Sequence, residues 1–186
     1  MVLFRFPCLL TTINTCARPP PFIFAAQNNL VGTLPAEIAA LTELEKLSLW
    51  SNKLSGTIPT TITQMTTLQE LRASDNGLTG SLPEDIGALT SMTHMAFQNN
   101  DLTGNVPPSI GSMVRLTNLW LNENGLSGPL PSEMGQLALV KELSFEGNEL
   151  SGTVPPELEN MKSLSTFLKI RIGLLPVCIL SAVPQL

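Results

Sequence analysis

The sequence predicts an α/β repeat solenoid, a chain wound from short coils that each contact only their neighbours. The main observation is a frame, N-x-L-x-G-x-(L/I/V)-P, that recurs every 24 residues without insertion or deletion. A second observation is that the Asn, the Gly and the Pro of this frame are identical in all six copies. A fixed period of this length indicates stacked repeats. The six frame asparagines are Asn28, Asn52, Asn76, Asn100, Asn124 and Asn148.

The piece before each frame Asn predicts a short β-strand. In Leu44-x-x-Leu47-x-Leu49 apolar and polar residues alternate, which is typical of a strand with one buried face. Stacking of these strands predicts a parallel sheet on one side of the solenoid. The Asn that follows each strand carries two donors and an acceptor. We therefore expect the six asparagines to form a structural ladder that bonds backbone groups at the turns and bridges to the next coil.

The piece after each frame Pro predicts a short 3-10 or single-turn segment, because its apolar residues are three apart, as in Ile86 and Leu89. We expect the Ser, Thr, Glu and Asp residues at its start to act in capping and in the first turn. Glu84 and Asp85 are therefore interpreted as first-turn residues in water and not as a catalytic carboxylate pair. The frame Gly predicts a special backbone dihedral or a close approach.

These motifs, taken together as Leu44-x-x-Leu47-x-Leu49-x-x-Asn52-x-Leu54-x-Gly56-x-Ile58-Pro59, resemble the plant-type leucine-rich repeat. The resemblance implies a right-handed superhelix with a parallel sheet on its concave side and short 3-10 or turn segments on its convex side. It also implies a relation to the ectodomains of receptor-like kinases and receptor-like proteins, and to polygalacturonase-inhibiting proteins. An extracellular or cell-surface location is what this resemblance favours. Repeats of this kind serve many functions as binding scaffolds.

We divide the chain into three parts. Residues 1–21 are a leader or a degenerate cap, and residues 1–17 leave a signal peptide, such a cap and a misplaced start of the reading frame as alternatives. Residues 22–168 are the leucine-rich repeat domain, with six 24-residue units and a failing seventh in which Lys169 and Ile172 break the frame. Residues 169–186 are an apolar tail outside the repeats, for which a truncated or misread end is an explanation. Its apolar stretch is shorter than the ~20 residues of a membrane helix, so we expect membrane contact only through a missing downstream segment.

Composition and motifs exclude several functions. The net charge is −5, and nucleic-acid binding requires a stripe of Lys and Arg, so we expect no nucleic-acid partner. A single histidine and three scattered cysteines match no metal-site pattern. No phosphate-binding or nucleophile motif is present, and we expect no catalytic residue, cofactor or metal. A row of hydroxyls is compatible with ordering water or ice, but we interpret it as structural because the family consensus has Ser or Thr there; it comprises Ser55, Thr79, Thr103, Ser127 and Ser151.

The candidate binding residues are outward strand positions that do not repeat from coil to coil, because a scaffold has no reason to fix the side chains there. Both tryptophans of the chain are expected on the concave face, exposed, with a basic centre between them and Glu142 beyond one end. Trp and Arg are enriched at binding hot spots. The alternative is that the two tryptophans merely lie on neighbouring side chains. The predicted site comprises Trp50, Arg72, His94, Gln98, Trp120, Asn122 and Glu146.

The sequence therefore predicts a non-enzymatic module that binds a protein or peptide on its concave face, as a recognition domain or a fragment of a receptor-like protein. Two alternatives remain open. One is a soluble inhibitor of a secreted enzyme, and the other is a structural adhesion repeat without a discrete ligand. A downstream reading frame with a membrane helix favours the receptor fragment, whereas secretion as a stand-alone chain favours the inhibitor.

Overall fold

The computed structural model describes residues 20–163 and the backbone of residues 166–168, 171–172 and 175–176. Within these residues the chain alternates between short strands and 3-10 segments. The strands are β1 (Phe22–Phe24), β2 (Val31–Thr33), β3 (Lys46–Ser48), β4 (Lys53–Thr57), β5 (Glu70–Arg72), β6 (Gly77–Gly80), β7 (His94–Ala96), β8 (Asp101–Gly104), β9 (Asn118–Trp120), β10 (Gly125–Gly128), β11 (Glu142–Ser144), β12 (Glu149–Leu150), β13 (Thr166–Leu168), β14 (Arg171–Ile172) and β15 (Leu175–Pro176).

The strands form two parallel sheets along the solenoid. The first sheet has seven strands in the order β1-β3-β5-β7-β9-β11-β13, and its register pairs residues 24 apart, such as Leu47 with Leu71. The second sheet has six strands, β2-β4-β6-β8-β10-β12, and is built from the second half of each frame. The predicted solenoid with a parallel sheet on its concave side is confirmed. The second sheet was not predicted from the sequence.

The 3-10 segments follow the frame prolines as predicted, but their predicted capping is wrong. None of the six described segments has a side-chain cap hydrogen bond. Pro precedes five of them and has no polar side chain to donate or accept, and Asp85, which precedes the other, makes no cap bond. Hydroxyls at their starts bridge neighbouring coils instead, as when Thr61 Oγ1 donates to the Ala36 carbonyl at 2.9 Å. The segments are Ala36–Ala40, Thr60–Gln64, Ile86–Ala88, Pro108–Ser112, Ser132–Gln136 and Pro156–Asn160.

One apolar core lies between the two sheets and the 3-10 segments. The repeating Leu, Ile and Met positions supply it, and Phe97 and Phe145 are its largest fully buried side chains. Burial of each such side chain contributes about 1.5–3 kcal/mol relative to exposure. The methionines of the described region lie in this core, consistent with a flexible thioether filling gaps.

The frame asparagines connect each coil to the one before it. Asn100 Oδ1 accepts from the Leu78 backbone N–H at 3.0 Å, and its Nδ2 donates to the carbonyls of Ala73 and Phe97, each at 3.0 Å. Asn52, Asn76, Asn124 and Asn148 make the equivalent bonds. Asn28 is exposed, and its side chain makes a local hydrogen bond to the Ala26 carbonyl.

The predicted domain boundaries stay predictions. Residues 1–19, with Cys8 and Cys16, lie outside the described residues, as do Lys169 and Cys178. The described backbone beyond residue 163 adds β13 to the first sheet, while β14 and β15 pair with each other in antiparallel orientation. No helix in the described part of the chain has the length and apolarity required to cross a membrane.

Candidate functional site

The outward side chains of the first sheet form a grid that we call the concave face. The strand register aligns its first two rows across the coils, and backbone bonds such as Leu121 N–H to the Ser144 carbonyl continue the alignment past the strand ends. The first row holds Phe22, Lys46, Glu70, His94, Asn118 and Glu142. The second row holds Phe24, Ser48, Arg72, Ala96, Trp120 and Ser144. The third row holds Ala26, Trp50, Ser74, Gln98, Asn122 and Glu146.

Both tryptophans lie on this face, but they are half-buried and not exposed as the sequence had suggested. Each stands between an Ala on the preceding coil and a Ser on the following coil. Around Trp120 these are Ala96 and Ser144, which are only 2% and 5% exposed. Small outward side chains reach such low exposure only when larger neighbours cover them, so the indole and other bulky groups of the grid cover this row. Each tryptophan is thus partly covered and keeps part of its surface exposed.

A three-residue ion cluster occupies the N-terminal half of the concave face. Glu70 Oε1 lies 2.6 Å from Lys46 Nζ, and its Oε2 lies 3.1 Å from Arg72 Nη2. Burial raises the pKa of the Glu70 carboxyl, but the Lys46 hydrogen bond and the charges of Arg72, Lys46 and His94 outweigh it and lower the pKa below its ordinary value. Sequence reasoning missed Lys46 and Glu70, although their 24-residue offset and opposite charges were visible.

The predicted basic centre is weaker than expected. Arg72 shares its carboxylate partner with Lys46, and His94 loses charge because burial lowers its pKa below the ordinary 6.5, a shift opposed by Glu70 and reinforced by Arg72. The His94 Nδ1 also lies 2.9 Å from Thr93 Oγ1. At neutral pH the centre therefore carries a partly neutralised guanidinium beside an uncharged imidazole.

Polar groups without partners lie in the middle and in the C-terminal half of the face. Gln98 Oε1 and Arg72 Nε are buried and have no hydrogen-bond partner. Among residues 20–163, the side chains of Asn122, Glu142 and Glu146 make no hydrogen bond or ion pair. Trp120 therefore lies beside the partly exposed side chains of Asn122, Glu142 and Glu146, whereas the charges of the other half are engaged with one another.

On the described part of the concave face, a small cavity lies beside the ion cluster. The cavity lined by Phe24, Lys46, Ser48, Glu70 and Arg72 has a volume of about 20 Å³, which suits roughly one water molecule. A larger open groove of about 340 Å³ lies away from the concave face, where the frame prolines precede the 3-10 segments. It is lined mainly by Pro107, Pro108, Pro129 and Pro131 with Glu84 and Glu133. Within the described residues no three His, Cys, Asp or Glu side chains are grouped to hold a metal ion. A shallow grid of this kind fits an extended ligand better than an enclosed small molecule.

Comparisons with known proteins agree with this architecture. The family model described as Leucine Rich Repeat matches residues 43–65, 67–89, 115–137 and 139–161. The ectodomain of the Arabidopsis thaliana membrane receptor kinase GASSHO1/SCHENGEN3, solved with CASPARIAN STRIP INTEGRITY FACTOR 2, is 34% identical with a TM-score of 0.73, over 75% of this chain and 17% of that one. The Arabidopsis receptor kinase HAESA ectodomain, solved with a peptide hormone ligand, is 30% identical with a TM-score of 0.75, over 79% and 25%.

A third similar structure is a plant ice-binding protein. It is 30% identical with a TM-score of 0.66, over 73% of this chain and 47% of that one. No curated protein matches the chain. The chain spans about a quarter or less of the length of the receptor ectodomains named above.

Proposed function

Because this chain is a plant-type leucine-rich repeat protein, we propose that it is a non-enzymatic recognition module that binds an extended peptide or protein segment on its concave face. The observation that carries this proposal is Trp120, a half-buried indole that lies among polar side chains without partners. Two of the similar receptor ectodomains were solved with peptide or protein factors, which supports a ligand of the same class here.

The grid dimensions suit an extended chain. Trp50 and Trp120 lie on coils three strand steps apart, so at about 4.8 Å per strand they stand roughly 14 Å apart along the sheet. About four or five extended residues span that distance. The two indoles serve as anchors, and the amides of Gln98 and Asn122 supply hydrogen bonds to the ligand backbone between them.

The test is selection of binders from a random peptide library followed by substitution of Trp120. We expect Trp120→Ala to weaken the selected peptide by at least ~2 kcal/mol, the scale of a hot spot, with little change in thermal stability. Glu84→Ala, an exposed change away from the concave face, is the matched control and should leave both quantities unchanged. Binding of the Trp120 variant as tightly as the parent, by a folded protein, overturns the proposal.

A second candidate function is ice binding, and the second sheet favours it. Its outward positions include two columns rich in hydroxyls, at about 4.8 Å between strands and about 6.7 Å along each strand, beside a third column that holds the charged Lys53, Asp101 and Glu149. A regular array of hydroxyls and methyls suits the ordered water of an ice surface, and a similar structure is an ice-binding protein. The hydroxyl residues are Thr33, Ser55, Thr57, Thr79, Ser81, Thr103, Ser127, Ser151 and Thr153.

Peptide binding and ice binding are predicted to be abolished by different substitutions. For ice binding, Thr79→Tyr in the middle of the hydroxyl array should abolish inhibition of ice recrystallisation, while Trp120→Ala should leave it intact. An unmodified protein that has no effect on ice growth removes this candidate and leaves the peptide proposal unaffected.

A further inference from the structure

The charges of the concave face are distributed unequally along the solenoid. At its N-terminal half two cations, Lys46 and Arg72, share the single carboxylate of Glu70. Two coils after Glu70 and Arg72, β9 carries no charge on this face, and on the next coil Glu142 and Glu146 both present carboxylates. The face is therefore positive at one end and negative at the other.

The negative end is built around Trp120. Ser144 on β11 stands directly opposite this residue in the register, and Glu142 and Glu146 lie two positions to either side of Ser144. With about 4.8 Å between strands and about 6.6 Å along two residues of a strand, such diagonal neighbours are roughly 8 Å apart, a distance that long side chains can span. Because Ser144 is small and 5% exposed, no bulky side chain at that position separates the indole from the two carboxylates.

These carboxylates are not neutralised by the rest of the described chain. Neither Glu142 nor Glu146 forms an ion pair with any residue whose side chain the structure describes. On the other side of Trp120, burial lowers the pKa of His94 below its ordinary value although Glu70 and Glu142 oppose the shift, so the imidazole adds little positive charge at neutral pH. The half-buried indole and the two acids thus form a surface that attracts a cation and repels an anion.

We propose that Trp120, Glu142 and Glu146 form a subsite for a basic side chain of the ligand, with arginine preferred over lysine. A guanidinium is planar, stacks on an aromatic face and donates to carboxylates in two directions. The amide of Asn122, on the same coil as Trp120, supplies an acceptor to the remaining donors, whereas Asn118 Oδ1 already accepts from Thr117 Oγ1 at 2.8 Å. This inference rests on the proposed peptide-binding function and deepens it by naming the ligand's chemistry.

The same polarity assigns a direction to the ligand. Arg72 and Glu146 lie three strand steps apart, which is roughly 14 Å at about 4.8 Å per step. A ligand with a basic residue at the Trp120 end places an acidic group near Arg72 when the two are about four or five extended residues apart. A peptide with the charges in the reverse order meets repulsion at both ends.

The subsite is tested with Nα-acetyl-argininamide as the probe and its uncharged citrulline counterpart as the control ligand. In a Trp50→Phe protein the remaining tryptophan is Trp120, so its fluorescence reports binding directly. We expect saturable quenching by the arginine probe and none by the citrulline probe. Combined Glu142→Gln and Glu146→Gln changes should weaken the arginine probe at least tenfold. Glu149→Gln, an exposed acid-to-amide change on the second sheet, should leave it unchanged.

Two results overturn the subsite. One is equal quenching by both probes, and the other is undiminished arginine binding after both acids are replaced in a protein that remains folded. Selection from the peptide library distinguishes failure of the cation subsite from failure of the proposed peptide binding. Selected peptides that require Trp120 but contain neither Arg nor Lys leave peptide recognition standing and refute the cation subsite. An arginine probe that binds when no peptide is selected supports the subsite and refutes the peptide proposal.

Discussion

Replacing Asn100 with alanine tests whether the asparagine ladder stabilises the stack of coils. Asn100 is 8% exposed and binds four backbone groups, on its own coil and on the coil before it. The carbonyls of Ala73 and Phe97 each also accept from a second ladder asparagine, so they keep a partner when the Asn100 amide is removed. The Leu78 N–H, which donates to Asn100 Oδ1 in a buried bond, loses its acceptor.

The expected cost follows from that single loss. An orphaned buried donor costs about 1–3 kcal/mol, and we expect Asn100→Ala to lower the free energy of unfolding by that amount. Asn28 provides the matched control, because it holds the same frame position but is exposed, with a local bond to the Ala26 carbonyl. Asn28→Ala should therefore cost much less.

The measurement is urea unfolding of the parent and both variants, with the midpoint and the slope compared. An unchanged slope allows the midpoint shift to be converted into a free energy. A repeat array departs from two-state unfolding when its coils open separately, and a reduced slope would reveal this. An unchanged midpoint for Asn100→Ala, or equal losses for the two variants, refutes the ladder as the source of stability.

Three further predictions concern the ion cluster and the convex side. The pKa of Glu70 is lowered from 4.5 in the folded state, so its charged form stabilises the fold above that pH. The difference in unfolding free energy between the parent and Glu70→Gln should therefore disappear as the pH falls through the folded-state pKa. A difference that grows in acid contradicts the pairing. By NMR titration His94 should have a pKa below 6.5, and Glu70→Gln should lower it further because the Glu70 charge raises it. Gly111→Ala should destabilise by about 1–3 kcal/mol, since its Cβ would overlap the Glu133 carbonyl oxygen of the next coil, whereas Ser112→Ala in the same segment should be neutral in thermal unfolding.

The repeating part of the structure was predictable from the sequence. The spacing of Leu47, Leu49 and Asn52 defines a strand, its buried face and the turn after it. Because the period is identical throughout, every coil packs against its neighbours in the same way. The 3-10 segments followed from apolar residues three apart. The capping error arose because Ser, Thr, Glu and Asp favour helix starts in general, whereas Pro35 and its equivalents already occupy the position before these segments.

The candidate site was predictable only in outline. The 24-residue period placed Trp50, Arg72 and Trp120 on one face. It does not determine which neighbour a side chain bonds to or how much of that side chain is buried. Glu70 stands between two cations, and the structure shows it bonded to both Lys46 and Arg72. Periodic residues are determined by the sequence itself, because every copy meets the same neighbours. The non-repeating residues were decided by the tertiary structure, because burial, pKa and partner choice depend on the particular side chains that adjacent coils bring together.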